Sequence, residues 1–246
     1  MDTQFEQSYH NLETRHFWFR CRRELICKIL SEFSKTSAIL DLGCASGVLL
    51  EDLNKIGFDQ NQLFGIDISE KAVALAHSRG FKNVHVGDAQ DFKFEHSFDI
   101  IIASDCLEHL SNEHRAIETW LSHLKPGGKL IVFVPAFMSL WSDHDVVNHH
   151  KRRYTKFSLI KLFNYNGVSV IKSGYWNVFL FPLIWLYRQL KGVTKSTIKE
   201  PKGDLEKLSV FNPVLYHILK AEQPLFGKIS FPFGVSTFCI VEKQTA

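Results

Sequence analysis

Through the middle of the chain, short apolar, β-branched runs alternate with stretches of helical periodicity. Strands are predicted at Ala38–Leu42, Leu63–Ile68, Val84–Val86, Phe98–Ala103 and Lys129–Val134, with helices between them at Gly47–Ile56, Ser69–Arg79 and Asn112–Leu124. Strand and helix in strict alternation predict an α/β protein with a doubly wound, mostly parallel sheet. Ser69 followed by Glu70 suits a helix N-cap with an acidic first turn. Lys125-Pro126-Gly127-Gly128 is expected to end a helix and turn the chain into the next strand. A loop rich in His and Arg follows (Ala136–Tyr154), then a helix from about Thr155 to Asn166, a strand near Val168–Tyr175 and a last strand at Ser236–Glu242, which brings the sheet to seven strands.

Two regions stand outside the alternation. Residues 1–36 read as a helical lid carrying aromatics and arginines, and residues 176–232 as a helical insertion. Between and after them lie the core, 37–175, and its last strand, 233–246. The polar stretch Lys191–Lys207, with Gly192, Pro201 and Gly203, is expected to be a mobile loop. Trp176–Leu190 is apolar nearly all round, so residues 176–190 form either a buried helix or a segment that touches a membrane surface or covers a lipid-like acceptor. Its longest apolar run, Val178–Tyr187, contains Pro182 and falls far short of the roughly 20 residues of a spanning helix.

Composition narrows the classes. At 246 residues, 45% hydrophobic and 22% charged, the chain is an ordinary globular protein rather than a disordered, collagenous or coiled-coil one. A net charge of +3 is too mild to argue for nucleic acid, and no nucleic-acid partner is expected. The 5 cysteines are spread out with no C-x-x-C pair, so they read as reduced thiols. The polar start, Met1-Asp2-Thr3-Gln4, lacks the apolar core of a signal peptide, and a cytoplasmic location is expected.

The chemistry concentrates at the predicted strand ends. Ile39-Leu40-Asp41-Leu42-Gly43-Cys44-Ala45-Ser46-Gly47 places an acid and small residues where the first strand meets the first helix. Small residues there let a ligand press on the backbone, and the helix start offers free N–H groups. A dinucleotide fingerprint fails, because Ala45 and Val48 stand where it needs glycine. One strand–helix–strand unit later, Asp67 closes the second strand, where a carboxylate can accept both hydroxyls of a ribose. Asp88 follows the third strand and Ser104-Asp105 the fourth, so four successive strand ends present polar groups at the carboxyl edge.

This order of motifs, over roughly Ser37 to Pro135, resembles the class I S-adenosylmethionine-dependent methyltransferases and their Rossmann-like fold. The family's D-x-G-x-G-x-G loop matches Asp41, Gly43 and Gly47, with Ala45 for the middle glycine. The resemblance implies S-adenosyl-L-methionine as cofactor and S-adenosyl-L-homocysteine as product. It implies that Asp67 holds the ribose, Ile68 flanks the adenine, Asp88 lies at the adenine amine and Ala89 offers its backbone N–H. Cys44 and Ser104 join this cofactor set. Asp105-Cys106-Leu107-Glu108-His109-Leu110 resembles the segment after the fourth strand in small-molecule O-methyltransferases, including those of ubiquinone biosynthesis. The Asn-Pro-Pro-Tyr of amino-group methylases is absent there.

The ends add two constellations. In His16-Phe17-Trp18-Phe19-Arg20 the aromatics either pack on the core or cover the cofactor, with Trp18 and Arg20 as the contacting pair. Trp141-Ser142-Asp143-His144-Asp145 and His149-His150-Lys151-Arg152-Arg153-Tyr154 follow the fifth strand, and Trp141, His144, Arg152, Arg153 and Tyr154 are candidates for the acceptor pocket. Three adjacent cations could hold an acceptor phosphate or carboxylate. No metal is expected, because His144 and His149 miss the i, i+4 spacing of a helical pair.

For a hydroxyl acceptor, His109 and His150 are the candidate general bases, with Asp105 as an orienting group. The His16-Phe17-Trp18-Phe19 start, the His150-Lys151-Arg152-Arg153-Tyr154 loop and the ending Pro232-Phe233-Gly234-Val235-Ser236 together resemble a bacterial subgroup associated with surface-glycan or lipid-linked glycan assembly, which implies methylation of a small-molecule, sugar or lipid-linked glycan oxygen. The rival reading is a methyltransferase-fold scaffold in a glycan-assembly complex, disfavoured by the intact Asp41, Gly43, Gly47 and Asp67 set.

Overall fold

The computed structural model describes residues 12–165, 167–193 and 212–245. Elements run in the order α1 (Phe17–Leu30), β1 (Ile39–Leu42), α2 (Val48–Lys55), β2 (Leu63–Asp67), α3 (Glu70–Ser78), β3 (Val84–Val86) and β4 (Phe98–Ser104). They continue with α4 (Glu113–Ser122), β5 (Leu124–Pro135), α5 (Asp143–Val147), α6 (Lys156–Lys161), β6 (Val168–Trp176), α7 (Phe181–Val193), α8 (Asn212–Glu222) and β7 (Ser236–Lys243). The seven strands form one sheet in the order β3-β2-β1-β4-β5-β7-β6. The first five are parallel, while β7 runs antiparallel to both β5 and β6.

Central strands buried on both faces explain the near-continuous apolar runs. Successive residues of β4 alternate between two cores: Ile100 and Ile102 join Leu25, Leu50 and Phe238 on one face, and Ile101 and Ala103 join Trp120 and Leu159 on the other. Fully burying a side chain of this size contributes about 1.5–3 kcal/mol over leaving it exposed. The Ser69 hydroxyl accepts from the Ala72 N–H, the cap that Ser69-Glu70 predicts.

Several expectations change. Lys125-Pro126-Gly127-Gly128 lies within β5, where the pairing with β4 shifts register between Phe98 and Ile100; Gly127, at φ +76°, absorbs the irregularity. The loop at 136–154 contains α5, because Ser142 and Asp145 form a capping box that nucleates a turn of helix. The helix expected to reach Asn166 ends at Lys161. Trp176 closes β6 as a fully buried residue, and the helix of the insertion begins only at Phe181. The polar stretch begins inside α7, which runs to Val193, and the rest of it to Lys207 lies outside the described residues, as do residues 1–11.

Helix α1 packs beside α8, and Arg22 reaches Asp105 at the end of β4 while Arg23 Nε donates to Asp52 Oδ2 of α2 at 2.7 Å. Just before α1, Glu13 Oε2 accepts from Ser46 Oγ at 2.7 Å. Helix α7 is less covered than a buried helix requires, since Leu183, Leu186 and Leu190 are 60%, 51% and 63% exposed.

Candidate functional site

The carboxyl ends of β1, β2, β3 and β4 open into one cavity of about 1160 Å³, roofed by α1, α7 and α8. A drug-sized pocket takes roughly 300–1000 Å³, so there is room for two ligands side by side. One end is polar and belongs to the strand ends. The other is walled by Leu180, Leu183, Ile184, Val214, Leu215 and Ile218.

At the polar end the chain turns under Gly43 at φ +71° and Ala45 at φ +45°. Gly43 has the left-handed backbone that glycine adopts freely. Ala45 adopts it at a cost of order 1–3 kcal/mol, and its N–H is held by Asp67 Oδ2 at 2.8 Å. Asp67 Oδ1 accepts from the Ser69 N–H at 2.9 Å, which fixes this carboxylate at the cavity wall. Ile68, beside it, is 78% exposed although apolar, a face left open on the cavity wall. Asp88 and Ala89 line the same end, with Asp88 Oδ1 taking the Gln90 N–H at 2.8 Å. Trp18 closes the cavity from the lid, its ring centroid 5.6 Å from that of Trp176.

Other members of the expected cofactor set stand back from the cavity. Arg20 lies at the surface, paired with Glu24 at 3.1 Å and stacked over Tyr216; the lid arginine that reaches a strand end is Arg22, two positions on, because α1 turns Arg20 outward. Asp41 is buried beneath the loop, and burial, with Glu13 and Asp67 nearby, pushes its carboxyl well above the usual range. The Cys44 side chain packs beneath Gly65, where an added Cβ would stand 2.6 Å from its Sγ. Gly47 caps α2 at φ +76° and lets it approach Ala76 of α3, while Ser104 completes β4 short of the cavity wall.

The region after β5 changes most. Arg152 Nη1 pairs with Glu113 Oε2 at 2.8 Å, and Tyr154 donates its hydroxyl to the same oxygen at 2.7 Å. Arg153 is buried and grips Asp145 through both carboxylate oxygens, Nε to Oδ1 at 2.7 Å and Nη2 to Oδ2 at 3.0 Å. Both arginines have carboxylate partners, and of the two Arg153 lines the cavity while Arg152 stands outside it. Trp141 and Tyr154 do not face the cavity, whereas His144 does.

Asp105, His109 and His150 do come together there, joined by Glu108, which the sequence reading did not select. Asp105 stands at φ +53° and receives Arg22. His150 Nδ1 lies 2.8 Å from Asp145 Oδ1, and its Nε2 points at Glu108 Oε1, 4.0 Å away. Burial opposes the Asp145 charge, but the His150 hydrogen bond and the Arg153 guanidinium outweigh it and hold the carboxyl well below its usual range. The His109 and His150 rings meet edge to face at 4.7 Å. Burial, and then the neighbouring His150, lowers His109 to about 4; burial likewise lowers His144 to about 4. Glu108 is fully buried, and neither of its oxygens accepts a well-formed hydrogen bond. Burial and the Asp105 charge raise its carboxyl well above normal, which its own amide and the Arg22 and Arg153 charges offset only in part.

The model of a methyltransferase domain matches residues 40–132, from within β1 into β5. The ubiquinone biosynthesis O-methyltransferase of Rickettsia canadensis is 30% identical over 225 residues, 90% of this chain and 83% of that protein. The chain belongs to the S-adenosylmethionine-dependent methyltransferases. The malonyl-[acyl-carrier protein] O-methyltransferase of Bacillus cereus is 32% identical over 112 residues, but the match spans only 41% of that relative. The plantazolicin methyltransferase BpumL, solved with S-adenosylhomocysteine, shares the fold at a TM-score of 0.63 and 19% identity, covering 99% of this chain and 91% of that one. The polar end fits the cofactor of a methyltransferase: a glycine turn, a carboxylate held by two backbone amides at the second strand end, and an open apolar face beside it. Among the described residues, no helix is long and apolar enough to cross a membrane.

Proposed function

We propose that the protein methylates an oxygen of an acceptor that carries an apolar portion, of the lipid-linked or lipid-like class. One observation carries the reading: a single cavity joins the cofactor end of the sheet to an aliphatic wall from α7 and α8, and Glu108, His109 and His150 sit on that same cavity.

S-adenosylmethionine, when bound, supplies an electrophilic methyl on a sulfonium, and its displacement consumes charge. The protein's part is therefore alignment rather than charge stabilisation. Asp67, Ile68, Asp88 and Ala89 are the residues that would hold the nucleoside portion. Trp18 and the aliphatic wall exclude water, and they leave the acceptor's apolar part between α7 and α8. The hydroxyl proton is lost at the Glu108–His109–His150 corner, where His150 Nε2 faces the site while Nδ1 is tied to Asp145. The aliphatic wall would hold the acceptor's apolar part, while Lys151 and Arg188, which line the same cavity, leave room for a polar or anionic head.

The test has two stages. Calorimetric titration with S-adenosylmethionine and S-adenosylhomocysteine, beside Asp67→Ala, should show micromolar binding that the variant loses. Incubation with methyl-labelled S-adenosylmethionine and a lipid extract should then move label into the organic phase. Cofactor binding with label entering only water-soluble sugars would overturn the acceptor class. No cofactor binding by a folded protein would overturn the activity.

A further inference from the structure

We propose that Glu108, His109 and His150 form a binding site for a divalent transition-metal ion of the zinc type. Their ligand atoms all lie within 4.8 Å of one another, although His150 is brought from beyond β5 to meet a pair that follows β4. The sequence spacing that argues against a metal concerns His144 and His149. The cluster uses neither, and it is assembled by the fold.

Three features single it out from an ordinary buried polar group. Glu108 is wholly buried, and both of its oxygens lack a well-formed hydrogen bond, a costly arrangement unless something else partners them. The 4.0 Å from Glu108 Oε1 to His150 Nε2 is too long for a hydrogen bond but suits two groups facing a common ion. One imidazole is also oriented from behind: His150 presents Nδ1 to the Asp145 carboxylate at 2.8 Å, and Asp145 is itself clamped by Arg153. A carboxylate behind a ligating imidazole is the usual way a metal-binding tautomer is fixed. Two imidazoles and one carboxylate, with further positions open to the cavity, match the donor set of catalytic zinc and related ions.

Bonds of about 2.0–2.2 Å require the three donors to draw together, and the unpartnered Glu108 carboxylate has no hydrogen bond to break in doing so. On the methyl-transfer reading, the ion would bind the acceptor hydroxyl directly. It would lower the pKa of that hydroxyl, and His150 Nε2 would then serve as a ligand rather than as the proton acceptor. Only this last use depends on that reading; the ion site itself does not.

The experiment uses the full chain, stripped with a chelator and returned to buffer, titrated separately with Zn²⁺, Co²⁺ and Mg²⁺. Expected are one Zn²⁺ per chain by calorimetry and, with Co²⁺, the visible absorption of a four- or five-coordinate ion. Glu108→Gln should abolish that absorption, and Asp145→Asn should weaken binding ten- to a hundredfold. Circular dichroism and S-adenosylhomocysteine binding report folding in each variant. A protein that binds Mg²⁺ alone, or whose Co²⁺ spectrum and affinity are the same in Glu108→Gln, overturns the site. Loss of S-adenosylhomocysteine binding with the metal site intact would instead sink methyl transfer and leave this inference standing.

Discussion

Arg22 of the lid helix donates to Asp105 at the end of β4, and Asp105 is a non-glycine residue held at φ +53°. The ion pair anchors the lid to the strand end and holds a backbone conformation that costs of order 1–3 kcal/mol. Removing the arginine leaves a partly buried carboxylate without its partner. We expect Arg22→Met to destabilise the protein by about 2–3 kcal/mol, a drop in Tm of roughly 4–12 °C, and to weaken cofactor binding. Arg20→Ala, at the surface, should change stability by less than about 0.5 kcal/mol. Calorimetric melts of the two variants give the answer; equal losses would show that Arg22 is no anchor.

Asp67 should matter to the cofactor. Its carboxylate is fixed by the Ala45 and Ser69 amides and faces the cavity. A charge-assisted hydrogen bond is worth about 1.5–3 kcal/mol, so Asp67→Asn should weaken S-adenosylhomocysteine by roughly ten- to a hundredfold. An unchanged Kd would remove Asp67 from the ribose role.

For His150, the expectation is a separation of binding from turnover. His150→Ala should lower kcat by two or more orders of magnitude, yet leave S-adenosylhomocysteine affinity within about threefold. A variant with weakened cofactor and normal turnover would place His150 at the wrong end of the cavity.

The cysteines should be silent. Burial raises Cys21, Cys27 and Cys239 to about 12 and pushes Cys44 and Cys106 well above the usual thiol range. A raised thiol pKa leaves the neutral form dominant at pH 8, and the neutral form is a poor nucleophile. A chromogenic disulfide reagent should therefore titrate at most the half-buried Cys27, and that slowly, in the native protein and all 5 after denaturation. Rapid native labelling would contradict the burial.

Helix α7 carries the last prediction. Leu183, Leu186 and Leu190 are exposed on it, while Ile184 on the same helix lines the cavity. If a lipid-like acceptor enters here, the protein should float with liposomes, and Leu186→Asp together with Leu190→Asp should abolish flotation without altering cofactor binding. No flotation by the unaltered protein would limit the apolar part of the acceptor to the cavity itself.

The cofactor end was legible in the sequence because its residues sit at strand ends. Asp67, Asp88 and Ala89 fall on the cavity once alternation places β2 and β3. Arg20 and Gly47 lie away from the cavity wall, which was not legible because direction around a helix start cannot be read to a single residue: α1 turns Arg22 inward, and Gly47 stands where α2 packs on α3. The acceptor end was hidden for another reason. Glu108 and Asp145 look like ordinary acids in runs of mixed polarity, and their roles exist only after β5 and α5 carry His150 back to the end of β4. The one local signal was an acid beside a histidine in each run, Glu108-His109 and His144-Asp145.

Strand β7 sits between β5 and β6, although it is the last of the seven in the chain. Among the described residues β6 pairs with β7 alone, so during synthesis it waits without a neighbour until β7 arrives. The five parallel strands, with the glycine turn and Asp67, can assemble earlier. The roof helices α7 and α8 lie in the chain between β6 and β7, so the strands that carry the nucleotide end are complete before the acceptor end has been made.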